Sequence, residues 1–133
     1  MIFRQDLAEA RRINHQLKIL RERAEKIESA VHGGAIEYDK EKVQTSLTNQ
    51  HETLLVIIAD LTNEMEAKEA ELLRLKDEIR EWAGTLPSFK KAIIILRYCH
   101  FLGWDEISDC LGYSSRQIRR IHEEILWQIE RIV

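Results

Sequence analysis

The residues best placed to do chemistry stand together late in the chain. The run reads Glu106-Ile107-Ser108-Asp109-Cys110-Leu111-Gly112-Tyr113-Ser114-Ser115-Arg116-Gln117-Ile118-Arg119-Arg120-Ile121. Arginine carries a permanent cation and a planar fork of donors that fits phosphate and the O6/N7 edge of guanine. Arg116 and Arg120 are four apart, so a helix puts them on one face with Arg119 beside them. Ser114 is a natural helix N-cap. Ser115 is short enough to reach a base edge or a phosphate, and Gln117 suits a phosphate or an adenine. The amino end of such a helix offers free N–H groups and partial positive charge to an anion. Lys90, Lys91 and Arg97, on the preceding helix, are expected to contact the nucleic-acid backbone. The chemistry expected of them is recognition of double-stranded DNA by a helix end in the major groove.

The residues around these arginines meet the needs of a helix-turn-helix. That motif requires a small residue where two helices cross, a glycine in the turn, and apolar side chains facing a shared core. Ser108 is the small residue and Gly112 the turn glycine. Ile107, Leu111, Ile118 and Ile121 face the core, and Tyr113 pins the turn. The pattern predicts short helices over about 88–101 and 104–111. A third is expected from Ser114 nearly to Val133, with Ile118, Ile121, Ile125, Ile129 and Ile132 along one side.

Other chemistries fit less well. Cys99-His100, Cys110 and His122 lack the paired spacing of a closed zinc site, and both cysteines are expected to be buried. Ser114 and Ser115 with His122 and Asp109 come without a nucleophile elbow. Gly33-Gly34 lacks the Lys-Ser/Thr of a phosphate-binding loop. The expectation is no catalytic residue, no cofactor, no metal and no enzyme. His15, His32 and His51 are expected at the surface.

Two long elements must carry this end. Phe3, Asp6, Ala10, Ile13, Leu17, Leu20, Ala24, Ile27 and Val31 step by three and four, with Asp6 the one break in the apolar stripe, predicting a helix over about 3–32 that Gly33-Gly34 stops. Residues 33–50 read as a loop, with Thr48 or Asn49 capping the next helix. Leu54, Ile58, Leu61, Met65, Lys68, Leu72, Leu75, Ile79 and Trp82 repeat the heptad spacing until Gly84 and Pro87 end it. Each arm is expected to be roughly 45 Å long. Two such helices hold little core of their own, so a helical hairpin or coiled-coil arm that joins copies of the chain is expected, a dimer first. Leu54, Ile58, Leu61, Met65, Leu72, Leu75 and Ile79 are its expected contacts. Lys68 either lays its stem along the seam with its ammonium in water, or fixes register. Trp82 and Trp104 read as core. Trp127 lies off the isoleucine stripe and is expected to pack on a second subunit or on the arm.

Composition agrees with this plan. The 133 residues include only five Gly and one Pro, too few turn formers for a sandwich or barrel. The net charge of −3 excludes a wholly basic nucleic-acid coat but not a local basic face. Residues 50–84 carry nine acidic and four basic side chains, an acidic rod that phosphates would repel. Residues 85–133 carry seven basic and six acidic ones. The longest apolar run, Leu54 to Ala59, is far short of the ~20 residues of a membrane span. Met1 to Asp6 is charged too early for a signal peptide, and two cysteines make no disulfide scaffold. The expectation is an all-α, cytoplasmic chain with an arm over 1–84 and a helix-turn-helix domain over 85–133.

From Leu96-Arg97-Tyr98 to Ile129 the chain resembles region four of bacterial sigma factors. The resemblance rests on Leu96-Arg97-Tyr98, Glu106-Ile107, Leu111-Gly112-Tyr113-Ser114 and the arginine-rich helix. It departs at Gly103, where the family usually has a hydroxyl cap, and at Ser108, where alanine is usual. Trp127 and Glu130 stand where sigma factors are commonly basic. The resemblance implies base reading by Ser115, Arg116 and Arg120, and backbone contacts from Ser114 and Arg119. The wider layout, with Tyr38-Asp39 and Val43-Gln44-Thr45-Ser46 in the loop, resembles small phage and prophage proteins related to late transcription regulators of the ArpU and RinA kind. That implies a promoter-binding activator of phage late genes in a bacterial host, with RNA polymerase a candidate partner. A small terminase-like packaging subunit, or a protein that docks on polymerase without touching DNA, is the alternative.

Overall fold

A computed structural model of the protein describes residues 2–32 and 44–131. Among them every regular element is a helix: α1 (Arg4–His32), α2 (Gln44–Ala83), α3 (Ser88–Tyr98), α4 (Trp104–Leu111) and α5 (Ser115–Arg131). No helix among the described residues is long and apolar enough to cross a membrane.

The buried face of α1 follows the predicted stripe from Ala10 through Ile13, Leu17 and Leu20 to Ala24. Before Ala10 it departs. Ile2 and Leu7 are buried, whereas Phe3 is 45% exposed. Asp6 does not join the apolar face, because its Oδ2 accepts the Phe3 N–H at 2.8 Å. An amide at a helix start has no carbonyl partner within the helix, and a carboxylate in the first turn supplies one. Asp6 therefore caps α1, and the apolar face starts on its neighbours.

α2 starts earlier than the spacing predicts. Residues 44–50 are helical, so the expected loop over 33–50 is too long, and Thr48 and Asn49 lie inside α2 rather than capping it. Ser, Thr and Asn are weak helix formers, but extending an existing helix adds a hydrogen bond without a new nucleus. Gly33-Gly34, Tyr38-Asp39, Val43 and Ile132 fall outside the described residues. With 40 residues α2 extends ~60 Å rather than 45 Å. It ends as predicted. The Gly84 N–H donates to the Arg80 carbonyl at 3.0 Å, Thr85 N–H to Trp82 and Leu86 N–H to Ala83. Pro87 follows at the N-cap of α3.

The chain divides into two compact units, Met1–Asn14 with Glu71–Val133, and His15–Ala70. This division cuts across both long helices instead of falling at the expected 84/85 boundary. The reason lies in the first unit. The Arg11 Nη1 donates to the Arg97 carbonyl at 3.2 Å, joining α1 to the end of α3. Lys76, on α2, has its Nζ 5.1 Å from the Phe101 ring centroid. Leu72, Leu75, Ile79 and Ala83 of α2 are buried in this unit, as are Ile93, Ile94 and Tyr98 of α3.

In the second unit Leu17, Leu20 and Ala24 are buried, while Leu54, Ile58, Leu61 and Met65 are half-buried. Lys68 Nζ donates to Gln16 Oε1 at 2.9 Å. Its ammonium therefore meets a partner on α1, and such a polar pair along an apolar seam favours one register over its neighbours. Arg21 and Glu69 pair at 3.1 Å with both side chains about half exposed, an arrangement that contributes little.

Candidate nucleic-acid interface

α3, α4 and α5 meet at three fully buried isoleucines, one from each helix: Ile93, Ile107 and Ile118. Phe89, Leu96, Leu102, Trp104, Leu111 and Ile121 close around them. The spacing places Ile107 and Leu111 on the inner side of α4, and Ile118 and Ile121 on the inner side of α5. Trp104 packs as expected. Cys99 is buried, and desolvation raises its thiol pKa. Cys110 was expected to be buried and is exposed, because α4 is short and its inner positions are already taken.

The connection from α4 to α5 is built by local chemistry. Gly112 ends α4 in the left-handed conformation, φ 75° and ψ 18°, and its N–H donates to the Ser108 carbonyl at 2.9 Å. A Cβ there would meet nothing within 4 Å, so backbone conformation, not space, asks for glycine. The Ser108 hydroxyl donates to the Tyr113 carbonyl. The Tyr113 ring lies 4.7 Å from that of Phe89, fastening the turn to α3.

The start of α5 is capped reciprocally. Ser114 Oγ accepts the Gln117 N–H at 3.2 Å, and Gln117 Oε1 accepts the Ser114 N–H at 3.2 Å. This is the capping-box arrangement. Ser115 Oγ donates to Asp105 Oδ1 at 2.6 Å, linking the first turns of α5 and α4. Ser114, Ser115 and Gln117 thus hold the end of α5 in place.

Arg116, Arg119 and Arg120 are exposed on the first two turns of α5. Arg116, Arg120, Glu123 and Trp127 follow one another at four, three and four along one outward stripe, and Trp127 is 59% exposed. The face is basic at its start and acidic and aromatic farther on. Lys91 is exposed and Lys90 half-buried.

Arg97 does not fit its expected backbone-contact role. Its Nη1 donates to the Leu102 carbonyl at 3.1 Å, and its guanidinium carbon sits 4.0 Å from the Trp104 ring centroid. Its Nε is buried without a hydrogen-bond partner among the described residues. Desolvation lowers its pKa, as do the charges of Arg11 and Arg119, yet an arginine stays charged at any ordinary pH. The short link after α3, with Phe101 at φ 56°, brings a carbonyl and an indole against the guanidinium. Arg97 is a strut between α3 and α4.

His122 belongs to none of the motifs and has a structural role of its own. It is buried, its Nε2 lies 2.6 Å from Tyr98 Oη, and its ring stands edge-on to Trp104 at 4.8 Å. Desolvation raises the Tyr98 pKa, so the phenol keeps its proton in this hydrogen bond. Burial first, then the charges of Arg97, Arg4 and Arg11, push the His122 pKa down to about 4. The signal was available: His122 stands four after Ile118 and three before Ile125, on the buried side of α5.

Of the expected oligomer contacts, Leu72, Leu75 and Ile79 are buried within the single chain, while Leu54, Ile58, Leu61 and Met65 are half-buried. No group of three potential metal ligands gathers among the described residues. No protein-family model, curated protein or solved structure significantly matches the chain.

Proposed function

We propose that the protein is a sequence-specific binder of double-stranded DNA that regulates transcription. In this reading α3 to α5 form a helix-turn-helix domain, and α1 with α2 form a coiled-coil hairpin that also joins two copies. One observation carries it: three exposed arginines occupy the first two turns of a helix whose start is fixed by the Gly112 turn and the Ser114–Gln117 cap. Clustered cations on a pre-set helix end suit a groove walled by phosphates.

The charge pattern also sets the direction of approach. Asp105, Glu106 and Asp109 on α4, and Glu123 and Glu124 farther along α5, are exposed. Phosphates would be repelled there, so the duplex meets the amino-terminal half of α5. Arg116 and Arg120 read bases, Arg119 and Lys91 hold the backbone, and Ser114, Ser115 and Gln117 act through the shape of the helix end. Two joined copies present two such ends, and the second binds at high effective concentration. The sigma-like stretch favours promoter DNA as the target and RNA polymerase as a partner, in the manner of a phage late-gene activator acting in the bacterial cytoplasm.

Selection of bound fragments from a random duplex pool tests the reading. Enrichment of one motif, repeated as two half-sites, is the expected outcome. A pool unchanged after several rounds at low salt would overturn it.

A further inference from the structure

Tyr113 is held from two sides and yet left open. Its ring packs on Phe89 of α3, with 4.7 Å between centroids, and its carbonyl accepts the Ser108 hydroxyl of α4. The residue is nevertheless 47% exposed, and its own hydroxyl makes no hydrogen bond among the described residues. Closing the turn needs the ring and the carbonyl, and a phenylalanine supplies both. The hydroxyl is left without a task inside the fold. Tyr98 differs in this respect, because its buried hydroxyl lies 2.6 Å from His122 Nε2.

The surroundings of Tyr113 say what that hydroxyl meets. Ser114 follows at once, and its carbonyl accepts the Ile118 N–H at 3.0 Å as α5 begins. Arg116 stands three residues on. On the other side lies α4, with Asp105, Glu106 and Asp109 exposed. Tyr113 thus occupies the border between the basic start of α5 and the acidic face of α4. A cation at that place would be drawn to the carboxylates, whereas a neutral phenol keeps its donor free. Both fastenings also limit the motion of the ring, so little rotamer freedom remains to be lost on binding.

We infer that Tyr113 is a further contact of the interface: its hydroxyl donates to a phosphate oxygen at the edge of the groove that α5 enters. This inference rests on the DNA-binding reading and gives Tyr113 a role besides closing the turn. The phosphate oxygen accepts, so the phenol must donate. The phenol carries no charge, so the contact forms without releasing a counterion. Its contribution is therefore the same at every salt concentration, unlike that of Arg116 or Arg120.

The test titrates the full chain with a fluorescent duplex of random sequence, because phosphate contacts ignore sequence. Tyr113→Phe keeps the ring on Phe89 and deletes the hydroxyl alone. It is expected to melt at the wild-type temperature and to bind about tenfold more weakly. Its plot of log affinity against log salt should run parallel to that of wild type. p-Aminophenylalanine in place of Tyr113 keeps a donor and is expected to recover most of the loss. O-methyltyrosine there offers an acceptor alone and is expected to recover none. A ring that only packed would bind DNA alike in all these forms. Should Tyr113→Phe fail to fold, the comparison of the two analogues decides the matter. Wild-type affinity in a folded Tyr113→Phe, or an amino analogue that binds no better than the methoxy one, would overturn the inference. Wild-type protein that binds no duplex at any salt would instead defeat the DNA-binding reading itself.

Discussion

Ser114 and Gln117 hold each other at the start of α5, each side chain accepting the other's backbone N–H at 3.2 Å. Both residues serve one cap, so their removal is not additive. Ser114→Ala and Gln117→Ala are each expected to cost about 1 kcal/mol. The double variant is expected to lose clearly less than the sum. Urea unfolding of the four proteins checks this, and full additivity would argue against a reciprocal cap.

Gly112 makes a second prediction separate from the cap. Its φ of 75° lies in the left-handed region, and the space a Cβ would fill is open. Gly112→Ala is therefore expected to cost about 1 kcal/mol, from backbone strain alone. The denaturation midpoint should fall with an unchanged slope against denaturant. A loss of several kcal/mol would mean that crowding, not conformation, selects glycine.

Asp105 separates stability from binding. Its carboxylate accepts the Ser115 hydroxyl at 2.6 Å, next to the helix end that the proposal gives to DNA. Asp105→Asn keeps an acceptor and deletes the charge. Stability should fall by about 0.5 to 1 kcal/mol, because a carboxylate near helix amino ends is favourable. Duplex affinity should rise several-fold at low salt, and the gain should shrink as salt screens it. Anisotropy at two ionic strengths checks both parts, and weaker binding at low salt would contradict the assigned direction of approach.

His122 predicts a pH dependence of stability. Its pKa is lowered from 6.5 to about 4 on folding. The unfolded chain therefore takes up a proton at higher pH than the folded one. The stability that neutral His122 contributes is complete above 6.5 and is lost as pH falls from there toward 4. The loss should be on the order of 2 kcal/mol, after allowance for residual solvent screening around the ring. Against wild type, His122→Gln should remove most of that slope while keeping a hydrogen-bonding partner for Tyr98. Parallel pH profiles for the two proteins would contradict the account.

What was legible in the sequence was local. Gly112, Ser114 and the isoleucines from Ile107 to Ile125 obey rules that span a few residues, and the structure places them accordingly. The second long helix was legible at its Gly84–Pro87 end, where residue types forbid continuation. Its start was not, since Thr48 and Asn49 permit a cap without requiring one. Arg97 is not legible in the same way, because an arginine near a basic segment looks like a surface cation. Only the link through Leu102 to Trp104, a tertiary feature, turns it inward. Spacing puts Phe3 on the seam with Asp6 as the break beside it, whereas the structure uses Asp6 as a cap and buries Ile2 and Leu7 on that face instead. The bond from Arg11 to the Arg97 carbonyl joins residues 86 positions apart, and no periodicity encodes it.

The central claim is that the exposed arginines on the first turns of α5 grip a double helix. Salt titrations of a labelled duplex with wild type and with the Arg116→Ala/Arg120→Ala double variant test it most directly. Neither side chain is buried, so the variant should melt close to wild type. The account predicts binding that weakens linearly in log–log form with salt, and a variant at least tenfold weaker with a shallower slope. Superimposable isotherms for the two proteins would contradict it.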